Sequence, residues 1–360
     1  MPGPLTNSKA INGIPRPIKS DLKSKRIIFE PEHVVRWSFL KVLREFSTLK
    51  EFYPEINPYT ECYKVRDNTW ALFNESFDGA GDVWMYLING PKKALIVDTS
   101  FGVGDLKGLI RHLVGDKEVI VCNTHHHFDH CYGNAQFDTC YCHENEVFDI
   151  QSKNNPDIWD YLFNQTGETI VVGENEEVKP GEPVYTHFDK KDLIVDLDHK
   201  ENYKPYNVVG VPDGYEFDLG DGYLVEAVLI PGHSAGQCAY YDKHNGTIFI
   251  GDCTGVGGRT AGPHQEFCTV EAMHDALIKL QPRLKDMTGV FPGHGMFDTH
   301  PIMLQYLLDT TEQVLKNPEN YDKKTEMVRG DHTFVSYTKN IHQWTALRYS
   351  PTSVYKNQRK

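Results

Sequence analysis

Thr124-His125-His126-His127-Phe128-Asp129-His130 follows directly on Val119-Ile120-Val121-Cys122, a short apolar run that reads as a buried strand. Four strong ligands, His125, His127, Asp129 and His130, fall within six residues at that strand's end. If the chain stays extended, alternation puts His125, His127 and Asp129 on one side. His126 and Phe128 then point the other way, Phe128 toward the core, and a turn at His130 swings its ring back to the same centre. Imidazole suits zinc, and a carboxylate lets a second divalent ion sit close by.

Three more junctions end an apolar run with a ligand. They are Leu229-Ile230-Pro231-Gly232-His233, Ile248-Phe249-Ile250-Gly251-Asp252 and Val290-Phe291-Pro292-Gly293-His294. A glycine precedes each ligand, so the backbone can turn sharply and approach an ion closely. Asp98 closes Leu95-Ile96-Val97 in the same manner and reads as a carboxylate that ties the ligand loop down by hydrogen bonds.

Around these junctions the pattern is strand-rich. Cys62–Val65, Thr69–Phe73, Val83–Leu87 and Ala94–Val97 read as consecutive strands, and Leu106, Leu109, Ile110 and Leu113 mark one face of a helix before Val119–Cys122. Strand, helix, strand predicts parallel pairing at that point. Thr139–Cys142 follows. The second half repeats the theme with strands at Glu216–Leu219, Leu224–Ile230, Ala239–Asp242, Thr247–Ile250 and Gly289–Phe291, and helices at Val270–Leu280 and Pro301–Leu315.

Three segments stand apart. Residues 1–60 read as an irregular basic arm and a helix from Pro31 to Lys50. Residues 145–212, rich in Asn, Glu, Lys and Asp, read as a lid-like insertion in a catalytic domain spanning 61–320. Its aromatic residues Trp159, Tyr161, Phe163, Tyr185 and Tyr203 are candidates for an apolar wall, although packing within the lid is the commoner use of such residues. Residues 321–360 read as a basic extension poor in core pattern, with a short strand around Phe334–Tyr337: eight Lys/Arg against three Asp/Glu give 8 − 3 = +5.

The chain as a whole is acidic: 37 Lys+Arg against 50 Asp+Glu leave −13, which argues against a nucleic-acid partner. No apolar run reaches membrane-spanning length, and the first residues have prolines where a signal peptide needs a continuous apolar stretch, so a cytoplasmic protein is expected. Eight scattered cysteines without a CxxC pair read as buried thiols.

The ordered set HxHxDH, His, Asp, His resembles the metallo-β-lactamase-fold superfamily, over roughly Cys62 to Leu315. The resemblance implies an α/β fold, a four-layered αβ/βα sandwich with the site at one edge between two sheets. It places His125, His127 and His233 at one metal, Asp129, His130 and His294 at a second, and Asp252 between them. It implies two divalent ions, zinc first and iron or manganese as alternatives, sharing a hydroxide that attacks a carboxylic ester, lactone or related acyl substrate. Asp129 and Asp252 are the catalytic carboxylates, Asp129 also passing a proton to the leaving group, and the substrate is a small molecule.

Within the superfamily, His127 stands where the iron oxygen reductases have Glu, and Asp252 stands where true β-lactamases usually have Cys or a small polar residue. Only 42 positions separate Asp252 from His294, too few for the extra domain of nucleic-acid-processing members. Arg259, in a segment faintly similar to glyoxalase II and persulfide dioxygenases, and His264 are candidate substrate contacts. Phosphodiester or β-lactam hydrolysis and a mononuclear-iron persulfide dioxygenase remain alternatives, as does a homodimer in which the termini cover a neighbour's lid.

Overall fold

Runs such as Trp70–Phe73 and Val83–Leu87 are apolar along their whole length and buried at every position, so the sheet that contains them must be covered on both faces. The computed structural model describes residues 48–74, 83–160, 170–171, 177–178, 190–258, 262–295, 297–329, 332–342 and 345–359. The sequence-predicted arm and most of the helix at Pro31–Lys50 lie outside them, as do Tyr161, Phe163, Tyr185 and Arg259; Lys50 itself belongs to a strand.

The first sheet opens with β1 (Lys50–Phe52), β2 (Thr60–Arg66), β3 (Thr69–Asn74), β4 (Val83–Asn89) and β5 (Lys93–Val97), each antiparallel to the one before. Helix α1 (Leu106–Val114) then carries the chain to β6 (Glu118–Cys122), parallel to β5 as the strand–helix–strand order predicts. A short helix α2 (Phe128–Cys131) precedes β7 (Thr139–His143), and α3 (Val147–Ser152) follows it. After the two-residue pair β8 (Ile170–Val171) and β9 (Glu177–Val178), β10 (Asn207–Val211) joins β7 in parallel and completes eight strands. The last residues of the 145–212 stretch are thus part of the main sheet.

The second sheet runs β11 (Glu216–Asp218), β12 (Leu224–Leu229), β13 (Cys238–Asp242), β14 (Thr247–Gly251) and, after helix α4 (Val270–Leu280), β15 (Gly289–Pro292), parallel to β14. Helix α5 (Ile302–Lys316) leads to a three-stranded sheet, β16 (Lys323–Arg329), β17 (His332–Ile341) and β18 (Thr345–Tyr349).

Side-chain alternation sorts these elements into layers. Tyr63, Phe73, Tyr86 and Val97 of the first sheet meet Val225, Tyr240, Phe249 and Phe291 of the second in one buried cluster. The opposite face of the first sheet, with Leu72, Met85, Leu87 and Ile96, packs on Leu106, Leu109 and Ile110 of α1, whose N-terminus is capped by Asp105. The opposite face of the second sheet packs on α4 and α5. This is the four-layered αβ/βα sandwich.

The C-terminal segment departs from its sequence reading. In place of one short strand it forms three, and Tyr337, Ile341, Leu347, Tyr349 and Val354 share a buried cluster with Met273 and Leu307 of α4 and α5. Charged residues alternating with these apolar ones mask the pattern, since only one face of the small sheet is buried. All eight cysteines are free and buried. No helix among the described residues is long and apolar enough to cross a membrane.

Candidate metal centre

The seven ligand-type residues picked out along the chain converge where the strands end. His125, His127, His233 and Asp252 offer ligand atoms that all lie within 4.8 Å of one another, and so do Asp129, His130 and His294. Within the first group His233 Nε2 lies 2.9 Å from His127 Nδ1 and 3.5 Å from Asp252 Oδ2. Within the second, His294 Nε2 lies 3.3 Å from Asp129 Oδ2 and His130 Nε2 lies 3.6 Å from it. Asp252 stands between the groups: its Oδ1 is 3.4 Å from His130 Nε2 and its Oδ2 is 3.3 Å from His294 Nε2.

The backbone reaches this arrangement differently from simple extension. β6 stops at Cys122, residues 123–127 cross the sheet edge as a loop, and Phe128–Cys131 coil into one helical turn that turns Asp129 and His130 inward. Phe128 ends half-buried against Phe101 and Tyr132 rather than in the main core. Gly293 has a steric reason to be glycine, because a Cβ there would lie 2.6 Å from Asp252 Oδ1 and 2.8 Å from His130 Cε1.

Hydrogen bonds around the cluster settle which ring nitrogens face it. Asp98 accepts from the Thr124 amide at 2.7 Å and from the Thr124 hydroxyl at 2.8 Å. With its only proton so used, the Thr124 oxygen accepts from His125 Nδ1 at 3.0 Å, which leaves His125 Nε2 with a bare lone pair. His233 Nδ1 donates to the Gly255 carbonyl at 3.3 Å and leaves its Nε2 bare in the same way. His130 Nδ1 donates to Asp98 Oδ2 at 2.8 Å. Asp98 therefore ties the end of its own strand to Thr124 and His130, with a left-handed backbone at φ 64°.

The electrostatics divide the cluster. Burial, then the neighbouring imidazoles, hold His125 and His127 well below the usual imidazole range, and burial lowers His233, so these three rings are neutral donors. Burial opposes charge on His130 and His294 too, but nearby carboxylates, led by Asp129 at His130 and Asp252 at His294, outweigh it and raise both, His294 to about 10.

The donor set fits divalent cations. His125 Nε2 is fully buried with a free lone pair and no hydrogen-bond partner, a costly state that a cation relieves. Imidazoles with carboxylates are the donors that zinc and its neighbours in the first transition row take.

His264 is in neither ligand group. It is exposed on the loop after Asp252, and its contacts are with Glu266 and Phe267. Trp159 is fully buried and donates to the Phe101 carbonyl, so it packs within the fold rather than lining a wall, while Tyr203 donates to Asn154. Cys253, beside Asp252, packs inward with its thiol on the Ile250 carbonyl.

Glu146 went unnoticed in the sequence. It is fully buried and meets both the His126 and Ser234 segments. Its signal was weak, a glutamate in a polar stretch 16 residues beyond His130.

A family model of the metallo-beta-lactamase superfamily matches residues 78–140. A hydroxyacylglutathione hydrolase of Synechococcus sp. (strain JA-2-3B'a(2-13)) is 26% identical over 179 residues, 49% of this chain and 51% of that protein. The match therefore spans about half that relative's length. An acyl-coenzyme A thioesterase MBLAC2 of Bos taurus is 26% identical over 241 residues, 63% of this chain and 78% of that protein. Among solved structures, a metallo-beta-lactamase from Pontibacter korlensis aligns with a TM-score of 0.45 and 16% identity, covering 70% of this chain and 99% of that one.

Proposed function

We propose, from the match of a metallo-beta-lactamase superfamily model to residues 78–140, that the chain is a dinuclear metal-dependent hydrolase of small acyl substrates, acyl thioesters before lactones and other esters. The observation that carries the reading is the convergence of seven ligand-type side chains around a buried imidazole nitrogen that has no hydrogen-bond partner among the described residues. The choice of thioester rests on the relatives named for hydroxyacylglutathione and acyl-coenzyme A.

In this reading His125, His127 and His233 would hold one cation and Asp129, His130 and His294 the other, with Asp252 placed to contribute to either group. Divalent ions in such a site polarise a carbonyl and bring the pKa of water toward about 7. The chain's own residues do the rest. Asp98 and Thr124 keep His125 and His130 in the tautomers that face the centre. Asp252 and Asp129 supply negative charge within 3.6 Å of both imidazoles of the second group. Asp129 is also the carboxylate suited to take a proton and return it to the leaving sulfur or oxygen. His127, His233, Asp252 and His294 are the partly exposed members, so substrate approaches from their side, while His125 and His130 close the back.

Metal analysis of the purified protein, followed by a screen over acyl-coenzyme A and acylglutathione thioesters, lactones, aryl esters, β-lactams and phosphodiesters, tests this. The expected result is thioester turnover that a chelator abolishes and zinc, manganese or iron restores. Turnover that survives full metal removal contradicts it. Oxygen uptake with glutathione persulfide, in place of hydrolysis, would favour the dioxygenase alternative.

A further inference from the structure

Asp98 bonds to His130 of the second group and, through Thr124, reaches His125 of the first, whereas the His127 and His233 loops meet at a different carboxylate. Those loops are far apart in sequence and belong to different sheets. Between them lies the Glu146 carboxylate, at the end of a single 3-10 turn, Glu144–Glu146, that follows β7.

Every acceptor position on that carboxylate is engaged by one loop or the other. Oε1 accepts from the His126 amide at 2.9 Å and from His126 Nδ1. Oε2 accepts from the Ser234 hydroxyl at 2.8 Å and from the Gly236 amide at 2.9 Å. His126 lies between ligands His125 and His127, and Ser234 follows ligand His233. One oxygen thus grips the first loop and the other grips the second. Gly236 is required for the fit, because a Cβ there would lie 2.7 Å from the Glu146 amide nitrogen and 2.8 Å from Oε2.

We propose that Glu146 is a positioning residue that couples the His125–His127 loop to the His233 loop and so pre-forms the three-imidazole metal group. A buried carboxylate with four donors is a rigid cross-brace, since each bond is charge-assisted and water cannot replace it. Its effect is local to one metal group. In the second group His130 has its own brace in Asp98 and the His294 segment in Trp84, whose amide and indole donate to the Gly293 and Gly295 carbonyls, both at 2.8 Å. Outer partners of metal ligands are typically worth about 10–100-fold in metal affinity.

The coupling rests on the metal-centre reading above, and the test separates the two. Wild type, Glu146→Gln, Ser234→Ala and His125→Ala are compared by equilibrium titration with zinc, by thermal unfolding without metal, and by the visible spectrum after cobalt substitution. Glu146→Gln keeps the side-chain shape but turns an amide NH2 toward donors on one loop. Expected is a loss of about 10–100-fold in affinity at one class of site, with the other unchanged and a shifted cobalt spectrum. Ser234→Ala, which removes one of four donors, should fall between Glu146→Gln and wild type.

Equal affinity and an unchanged spectrum in Glu146→Gln overturn the coupling, as does a parallel loss at both sites. If Glu146→Gln does not fold, Ser234→Ala alone decides, on the same one-site criterion. A wild-type protein that binds no cation overturns the metal-centre reading itself, an outcome visible before any variant is compared.

Discussion

His125 and Asp252 make the energetic problem of this protein visible at the scale of single side chains. A fully buried imidazole nitrogen without a partner costs stability that folding alone does not recover, and a carboxylate close to several imidazoles supplies the charge a cation needs. Replacing Asp252 or His127 with alanine should therefore reduce bound metal and lower turnover by orders of magnitude. Full turnover with full metal content in either variant, measured by elemental analysis beside the thioester assay, would contradict the ligand assignment.

The elements carry these side chains with different amounts of local instruction. α1 and α4 were readable from apolar periodicity, and both have side-chain N-caps, Asp105 and Thr269. The helical turn Phe128–Cys131 was not, because four residues contain too little periodicity and the alternating His-x-His-x-Asp pattern resembles a strand. The C-terminal strands were hidden for a related reason: β18 alternates Leu347 and Tyr349, both buried, with the exposed Arg348, and its lysine- and arginine-rich neighbours dominate the composition. Leu347→Ala should destabilise the protein by about 2–5 kcal/mol, as expected for truncating a buried leucine. Denaturant unfolding is the measurement, and a change below 0.5 kcal/mol, typical of surface positions, would mean that the small sheet is not part of the cooperative core.

At the scale of the whole molecule the layers are tied by charge as well as by apolar contact. Glu226 on β12 accepts both arms of Arg283, from the turn after α4, at 2.9 and 2.8 Å, and pairs with Lys243 at 2.8 Å. Burial works to raise its pKa, but Arg283 and Lys243 outweigh burial and hold the carboxyl below its ordinary 4.5. A carboxylate with a depressed native pKa stabilises the fold above the unfolded value and loses that contribution as pH falls through the native one. The stability gap between wild type and Glu226→Gln should thus be widest above about pH 5 and close in more acidic solution. A gap that does not vary with pH would show that the pair acts through packing alone.

The amino-acid sequence by itself determined the ligand-type residues, their order and the strand ends that bear them, because apolar periodicity and glycine-ligand junctions are local properties. Two sets of apolar strand runs, each followed by helices, indicate two related halves, while the plan of two facing sheets came from the resemblance to the superfamily. Tertiary structure decided what local pattern cannot express: that Glu146, in a polar stretch, lies between two sequence-distant loops, and that β10 joins the first sheet beside β7. Those outcomes depend on which surfaces meet across the sandwich, and a contact between residues almost a hundred positions apart leaves no trace in the spacing of either one.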